Sequence, residues 1–202
     1  MKTKPSLTQS FAALVLTFFA APSFAQSAAP LANPSVDDIV TALSGSMSKS
    51  LRQPRPLPEA QTSLCKAKPQ AGSNAMGRNL IVYADDAASR VNLALQFKVD
   101  STELSSNDRR VLDTLAEALR RPELAKVAFA VAGHTDVSGK FQHNLRLSCG
   151  RALAAESYLI KRGIAPDRLT AYGFGSQRLL NGFDSNAPQH RRVEIRRAPD
   201  GL

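Results

Sequence analysis

Asp136, Asn144, Ser148 and Arg151 are the residues of this chain whose types and spacing best suit chemistry. Asp136 stands in Gly133-His-Thr-Asp-Val-Ser-Gly139, a loop-like stretch between an apolar run and a helical pattern. Asn144, Ser148 and Arg151 then follow at i, i+4 and i+7, a spacing that lines three side chains along one stripe of a helix. The first turn of such a helix offers unpaired backbone N–H groups and a partial positive charge, which favour a carboxylate. Arg151 adds a planar, two-pronged grip on the same group. Asp136 supplies the opposite charge, suited to an ammonium. One anion site beside one cation site fits a zwitterionic end group.

The same residues have plainer uses. Asp is a common helix cap, and an Arg on a helix is ordinarily solvated. His134, Asp136 and Ser148 also invite a hydrolase triad. Against it, His134 precedes Asp136 by only two residues and no Gly-x-Ser-x-Gly elbow surrounds Ser148. No catalytic residue is therefore expected, and His134 reads as a strand-end histidine satisfied by a backbone partner. His134, His143 and Asp136 show no established ligand spacing, so neither a metal nor a cofactor is expected. Arg191, Arg192, Arg196 and Arg197 form a basic run near the C-terminus. No aromatic residues interleave it as a stacking platform would require, and the plain alternative is an edge strand protected by charge.

These residues need elements to position them. Val91, Leu93, Leu95 and Phe97 alternate with Asn92, Ala94, Gln96 and Lys98, the pattern of a strand with one buried face. Ser105-Ser-Asn-Asp108 is a helix-start signal, followed at helical spacing by Val111, Leu112, Leu115, Ala116 and Leu119, with Pro122 just beyond. Val127-Ala-Phe-Ala-Val-Ala132 predicts a strand covered on both faces. The spacing predicts a second helix over about 140–162, capped by Gly163. Leu169-Thr-Ala-Tyr172 and Arg192-Val-Glu-Ile-Arg196 read as two further strands. The fold class that follows is α+β, a two-layer sandwich ordered β-α-β-α-β-β, with two main helices on a mixed four-stranded sheet.

The N-terminal part reads differently. Lys2 and Lys4, the apolar run Phe11–Ala21 and Ser23-Phe-Ala25 predict a signal peptide over residues 1–25; the other reading is a short membrane anchor that stays attached. That run is about half the roughly 20 residues that span a bilayer, and no later stretch is longer, so no transmembrane segment is expected after its removal. Residues 26–89 read as a weakly structured tail or linker, with a short helix near 35–43 capped by Ser35 and Asp38. Arg52-Gln-Pro-Arg-Pro-Leu-Pro58 resists regular structure. The net charge of +9 suits nucleic acid, anionic glycans or membrane surfaces alike. Export makes nucleic acid the weaker choice, and none is expected as partner. Cys65 and Cys149, the two cysteines, either form a disulfide in an oxidising compartment or remain a free thiol and a small buried helix residue.

Gly133-His-Thr-Asp136, Asn144, Leu147-Ser148 and Arg151-Ala152 together resemble the peptidoglycan-associating domain of OmpA-like proteins. The likeness continues through Gly163-Ile164, Arg168-Leu169, Tyr172-Gly-Phe-Gly175 and Arg191-Arg-Val-Glu-Ile195, with Phe97, Asp100-Ser101 and Leu104 upstream. It covers about residues 90–198. The resemblance implies a domain that holds peptidoglycan without covalent chemistry, through the diaminopimelate of its stem peptide. It implies Asp136 for the ligand's ammonium and Arg151 for its carboxylate, with Asn144, Thr135 and Ser138 as supporting contacts. Either Arg191 or Arg192 is similar to a wall-contacting Arg. His190, His143, Cys149 and Gly150 depart from the residues usual at their positions, and Gly150 inside a helix costs about 1 kcal/mol against Ala. A periplasmic location, or one peripheral to the outer membrane, follows. An alternative is an assembly role in which residues 26–89 engage another envelope protein.

Overall fold

The computed structural model describes residues 29–45, 63–65, 89–95 and 97–198. The expected signal peptide and the proline-rich stretch lie outside them. Among the described residues the elements run α1 (Val36–Ser44), β1 (Ser63–Leu64), β2 (Arg90–Leu93), α2 (Ser106–Leu119), β3 (Phe129–Gly133), α3 (Phe141–Lys161), β4 (Leu169–Gly173) and β5 (Val193–Arg197). The architecture is α+β, helices layered on a mixed sheet. Four strands carry the sheet as expected, and the two-residue β1 adds a fifth at one edge, in the order β1-β4-β3-β5-β2.

Local signals place the helices. Ser105 Oγ accepts from the Asp108 backbone N–H at 3.1 Å while Asp108 Oδ2 accepts from the Ser105 N–H at 2.8 Å, a reciprocal cap that starts α2. Ser35 and Asp38 repeat the arrangement at α1. At the end of α3, Gly163 takes φ +88° and its N–H reaches the Ile160 carbonyl, while the Ile164 N–H reaches that of Leu159. This closing turn needs a residue without Cβ.

β3 and β4 pair in parallel across α3, the crossover the strand–helix–strand pattern predicts. β5 inserts between β3 and β2, antiparallel to both. This corrects the reading of the basic C-terminal strand as a solvated edge: Glu194 and Arg196 are buried at the centre of the sheet. β2 is also shorter than the alternation suggests. The Leu95 N–H turns back to the Leu93 carbonyl, which ends the ladder. Both its faces are covered, for Asn92 is buried along with Val91 and Leu93.

The main core joins Val91, Leu93, Phe129, Val131, Val193 and Ile195 of the sheet to Leu112, Leu115, Leu119, Ala152, Ala155 and Leu159 of the helices. Ile39 and Leu43 of α1 are fully buried in the same core. Ala130, Ala132, Tyr172 and Phe174 make a smaller cluster on alternate positions of β3 and the β4 end. Cys65 is disulfide-bonded to Cys149, and its N–H donates to the Ala171 carbonyl at 3.1 Å, so β1 is held to both β4 and α3. Gly133 explains how closely α3 approaches the sheet: a Cβ there would lie 2.0 Å from the Ser148 carbonyl oxygen.

Candidate functional site

Asp136 lies on the loop that leaves β3. Three backbone bonds hold this loop: His134 N–H to Arg192 O at 3.0 Å, Thr135 N–H to Gly175 O at 2.8 Å, and Val137 N–H to Ser185 O at 3.2 Å. Thr135 donates its hydroxyl to the Asp136 carbonyl at 2.9 Å. Asn144, one turn into α3, donates its amide to the carbonyls of Ser138 at 2.7 Å and Asp136 at 3.3 Å. Ser138 donates its backbone N–H to Asp136 Oδ1 at 2.9 Å, and its hydroxyl lies 3.3 Å from Asn186 Oδ1. Thr135, Ser138 and Asn144 therefore shape the turn that presents Asp136. Asp136 does not cap α3; Lys140 occupies that place, with no side-chain cap bond.

Asp136 Oδ2 accepts from Arg191 Nη1 at 2.7 Å. Burial works against its charge, but the bonds from Arg191 and Ser138 outweigh it and hold the carboxyl below its ordinary value. The Arg191 side chain is 44% exposed and that of Asp136 9%, so the pair sits at the surface and not in the core.

Arg151 is 2% exposed, which corrects the picture of a solvated helix charge. Its Nε donates to the Ser101 carbonyl at 3.1 Å and its Nη2 to the Lys98 carbonyl at 3.3 Å. The guanidinium lies 5.0 Å from the centroid of the Phe97 ring. Burial lowers its proton affinity and Arg191 lowers it further, while Asp136 and Asp100 raise it. Asp136, Arg191 and Arg151 thus act on one another across one neighbourhood. Among the described residues no carboxylate bonds to Arg151. Gly150 lets the loop come close, since a Cβ there would meet Thr102 Cγ2 at 2.6 Å. Asp100, at φ +54° on the same loop, pairs with His143 Nε2 at 2.8 Å and ties the loop to the first turn of α3.

The structure does not bring every candidate to this place. Arg192 is 4% exposed and points elsewhere, donating to Asn92 Oδ1 at 2.9 Å and to the Arg178 carbonyl at 3.3 Å, with Glu194 Oε2 at 3.5 Å. Ser148 spends its hydroxyl on the Leu145 carbonyl and the Gly175 N–H, both at 2.9 Å. The His134 ring stacks on Phe174 and faces Glu194 Oε2 at 3.3 Å, so His134, Asp136 and Ser148 have separate partners. Its backbone N–H finds a carbonyl, but its ring nitrogens do not, contrary to the strand-end expectation. Sequence reasoning missed the carbonyls of Lys98 and Ser101 because a main-chain acceptor carries no residue signature. It also missed the Asp100–His143 tie, whose ends lie on separate elements.

A family model described as the OmpA family matches residues 96–194. The peptidoglycan-associated lipoprotein of Pseudomonas aeruginosa is 33% identical over 116 residues, covering 56% of this chain and 67% of the relative. The chain belongs to the OmpA family. Another similar protein, the peptidoglycan-binding protein ArfA of Mycobacterium tuberculosis, is 34% identical over 106 residues, 50% of this chain and 31% of its own length. A solved OmpA-like domain, of FopA1 from Francisella tularensis, covers 73% of this chain and 96% of that one at 19% identity, with a TM-score of 0.48. This OmpA-family chain thus spans about two thirds of the lipoprotein and about one third of ArfA. Neither relative is named for an enzymatic activity. No helix among the described residues is long and apolar enough to cross a membrane.

Proposed function

We propose that this protein binds peptidoglycan non-covalently, as a link between envelope and wall, through the zwitterionic end of diaminopimelate. The observation that carries the reading is the buried Arg151 guanidinium, held by two carbonyls and Phe97, with no carboxylate bonded to it among the described residues. A buried cation without a bonded counter-ion is costly unless something supplies the anion. The ligand carboxylate fills that role. Its ammonium goes to Asp136, whose carboxylate is ionised and held at the surface. Arg191 occupies Asp136 in the free protein; it is exposed enough to turn aside and join Arg151 on the carboxylate. Arg192 has no part in this contact. The relatives named for associating with or binding peptidoglycan support the ligand class. They support an envelope location as well.

Co-sedimentation with diaminopimelate-type sacculi tests the reading. The full chain should pellet with them, and Asp136→Ala or Arg151→Ala should remain in the supernatant while keeping a cooperative thermal transition. Each variant leaves an opposite ligand charge unpaired, a loss of about 2–5 kcal/mol. Undiminished pelleting of both folded variants would refute the assigned contacts.

A further inference from the structure

The Asp136–Arg191 pair adjoins, along the chain, a second charged cluster that is buried. Glu194 is 4% exposed, in the second position of β5. Its Oε1 accepts from Arg196 Nε at 2.9 Å and Nη2 at 2.7 Å. Its Oε2 faces Arg192 Nη2 at 3.5 Å and His134 Nε2 at 3.3 Å. Those two neighbours have a particular place in the chain. Arg192 precedes Val193 on β5 and directly follows Arg191; His134 leaves β3 two residues before Asp136. The His134 N–H also bonds to the Arg192 carbonyl at 3.0 Å. One buried carboxylate therefore touches both chain segments next to the points from which Asp136 and Arg191 project.

We propose that Glu194 is a positioning residue: by holding Arg192 and His134 together it sets the separation of Asp136 and Arg191. Each arm is restrained from its other side. Arg192 is gripped by Asn92 Oδ1 and the Arg178 carbonyl. His134 lies flat on Phe174, at 5.3 Å and 9° between planes, with the Arg178 guanidinium 4.6 Å from the same Phe174 ring. Neither ring nitrogen of His134 makes a hydrogen bond of good geometry. The ring is located by packing on Phe174, with its Nε2 edge turned toward the Glu194 carboxylate. Arg196 fixes the other carboxylate oxygen, so Glu194 has little freedom to follow if one arm moves. The consequence for wall binding rests on the reading of Asp136 given above; the positioning itself does not.

The test reads Asp136 directly in the ligand-free full chain, by NMR titration of its side-chain carboxyl. The charged groups around it are Arg191, Arg151 and the Glu194 cluster with Arg192, Arg196 and His134. In the unaltered protein Asp136 titrates below the usual carboxylate range. Glu194→Gln removes a negative charge, and through space alone that lowers the Asp136 midpoint further. Loss of positioning slackens the Asp136–Arg191 contact and moves the midpoint up, toward about 3.9. The two effects have opposite signs, and the upward shift is the expected result. Arg192→Lys keeps every charge and removes only the planar fork, so it gives the same upward shift with no change in charge. It also serves if Glu194→Gln fails to fold. A midpoint that falls or stays constant in the folded variants overturns the proposal. Diaminopimelate affinity of the same variants is then measured separately: an upward midpoint with no diaminopimelate binding by the unaltered protein would sink the wall-binding reading and leave the positioning role standing.

Discussion

Two charge clusters share one end of the sheet and both set arginine against a carboxylate, yet the fold treats them oppositely. Asp136 and Arg191 meet once, at 2.7 Å, with the Arg half in solvent. Glu194 is closed in by Arg196, Arg192 and His134, each of them 6% exposed or less. The first pair is simple to open and re-form. The second offers nothing to a ligand and everything to the geometry of the chain beside it. Arg residues six positions or fewer apart on one strand and its approach therefore serve different ends, decided by burial and number of partners and not by residue type.

The sharpest way to break this contrast is to remove one charge from each cluster. Glu194→Ala should lower the unfolding free energy by about 3–5 kcal/mol, since it takes the carboxylate away from the buried Arg192 guanidinium. Asp136→Asn should cost about 1 kcal/mol or less, because Arg191 stays hydrated. Urea unfolding of both variants checks this, and equal losses would erase the distinction.

Acid should separate the clusters next. Burial pushes His134 down to about 4, with Arg192 adding to the fall and Glu194 opposing it. Between the ordinary value near 6.5 and about 4 the unfolded chain binds a proton that the folded chain refuses. Stability therefore declines as pH drops through that window, by roughly 3 kcal/mol in all. His134→Gln should flatten the decline. Asp136 has the usual carboxylate sign: its contribution is present above about 3.9 and is lost as pH falls through its lowered folded value. Thermal melts from pH 7 to pH 5 distinguish the two, for in that range the unfolded chain takes up a proton at His134 and not at Asp136.

Gly150→Ala is the subtlest probe. The added methyl gains about 1 kcal/mol of helix propensity but presses on Thr102 beside the loop that holds Arg151. Stability should change by about 2 kcal/mol at most, while sacculus binding weakens. Binding equal to that of the unaltered chain would show that the loop's closeness is not needed.

Much of this was legible from residues. The i, i+4, i+7 spacing puts Asn144, Ser148 and Arg151 on one face, and the structure buries all three. Capping at Ser105 and Asp108 marks the start of α2. Strand periodicity also separates Arg191 from Arg192: a period of two puts Arg192 on the face of Glu194 and Arg196, opposite Val193 and Ile195. What no local pattern contained was the insertion of β5 between β3 and β2. That long-range pairing turns a basic edge into a buried network, and only the assembled sheet reveals it.

Wall binding of this kind requires two opposite charges to clasp one zwitterion. Calorimetric titration of the full chain at neutral pH, with a stem tripeptide ending in diaminopimelate and the same tripeptide ending in lysine, tests it most directly. Lysine keeps the ammonium for Asp136 and lacks the carboxylate for Arg151. The first peptide should bind and the second should bind at least about tenfold more weakly, a loss of about 1.4 kcal/mol or more; equal affinity for both would rule out the paired contact.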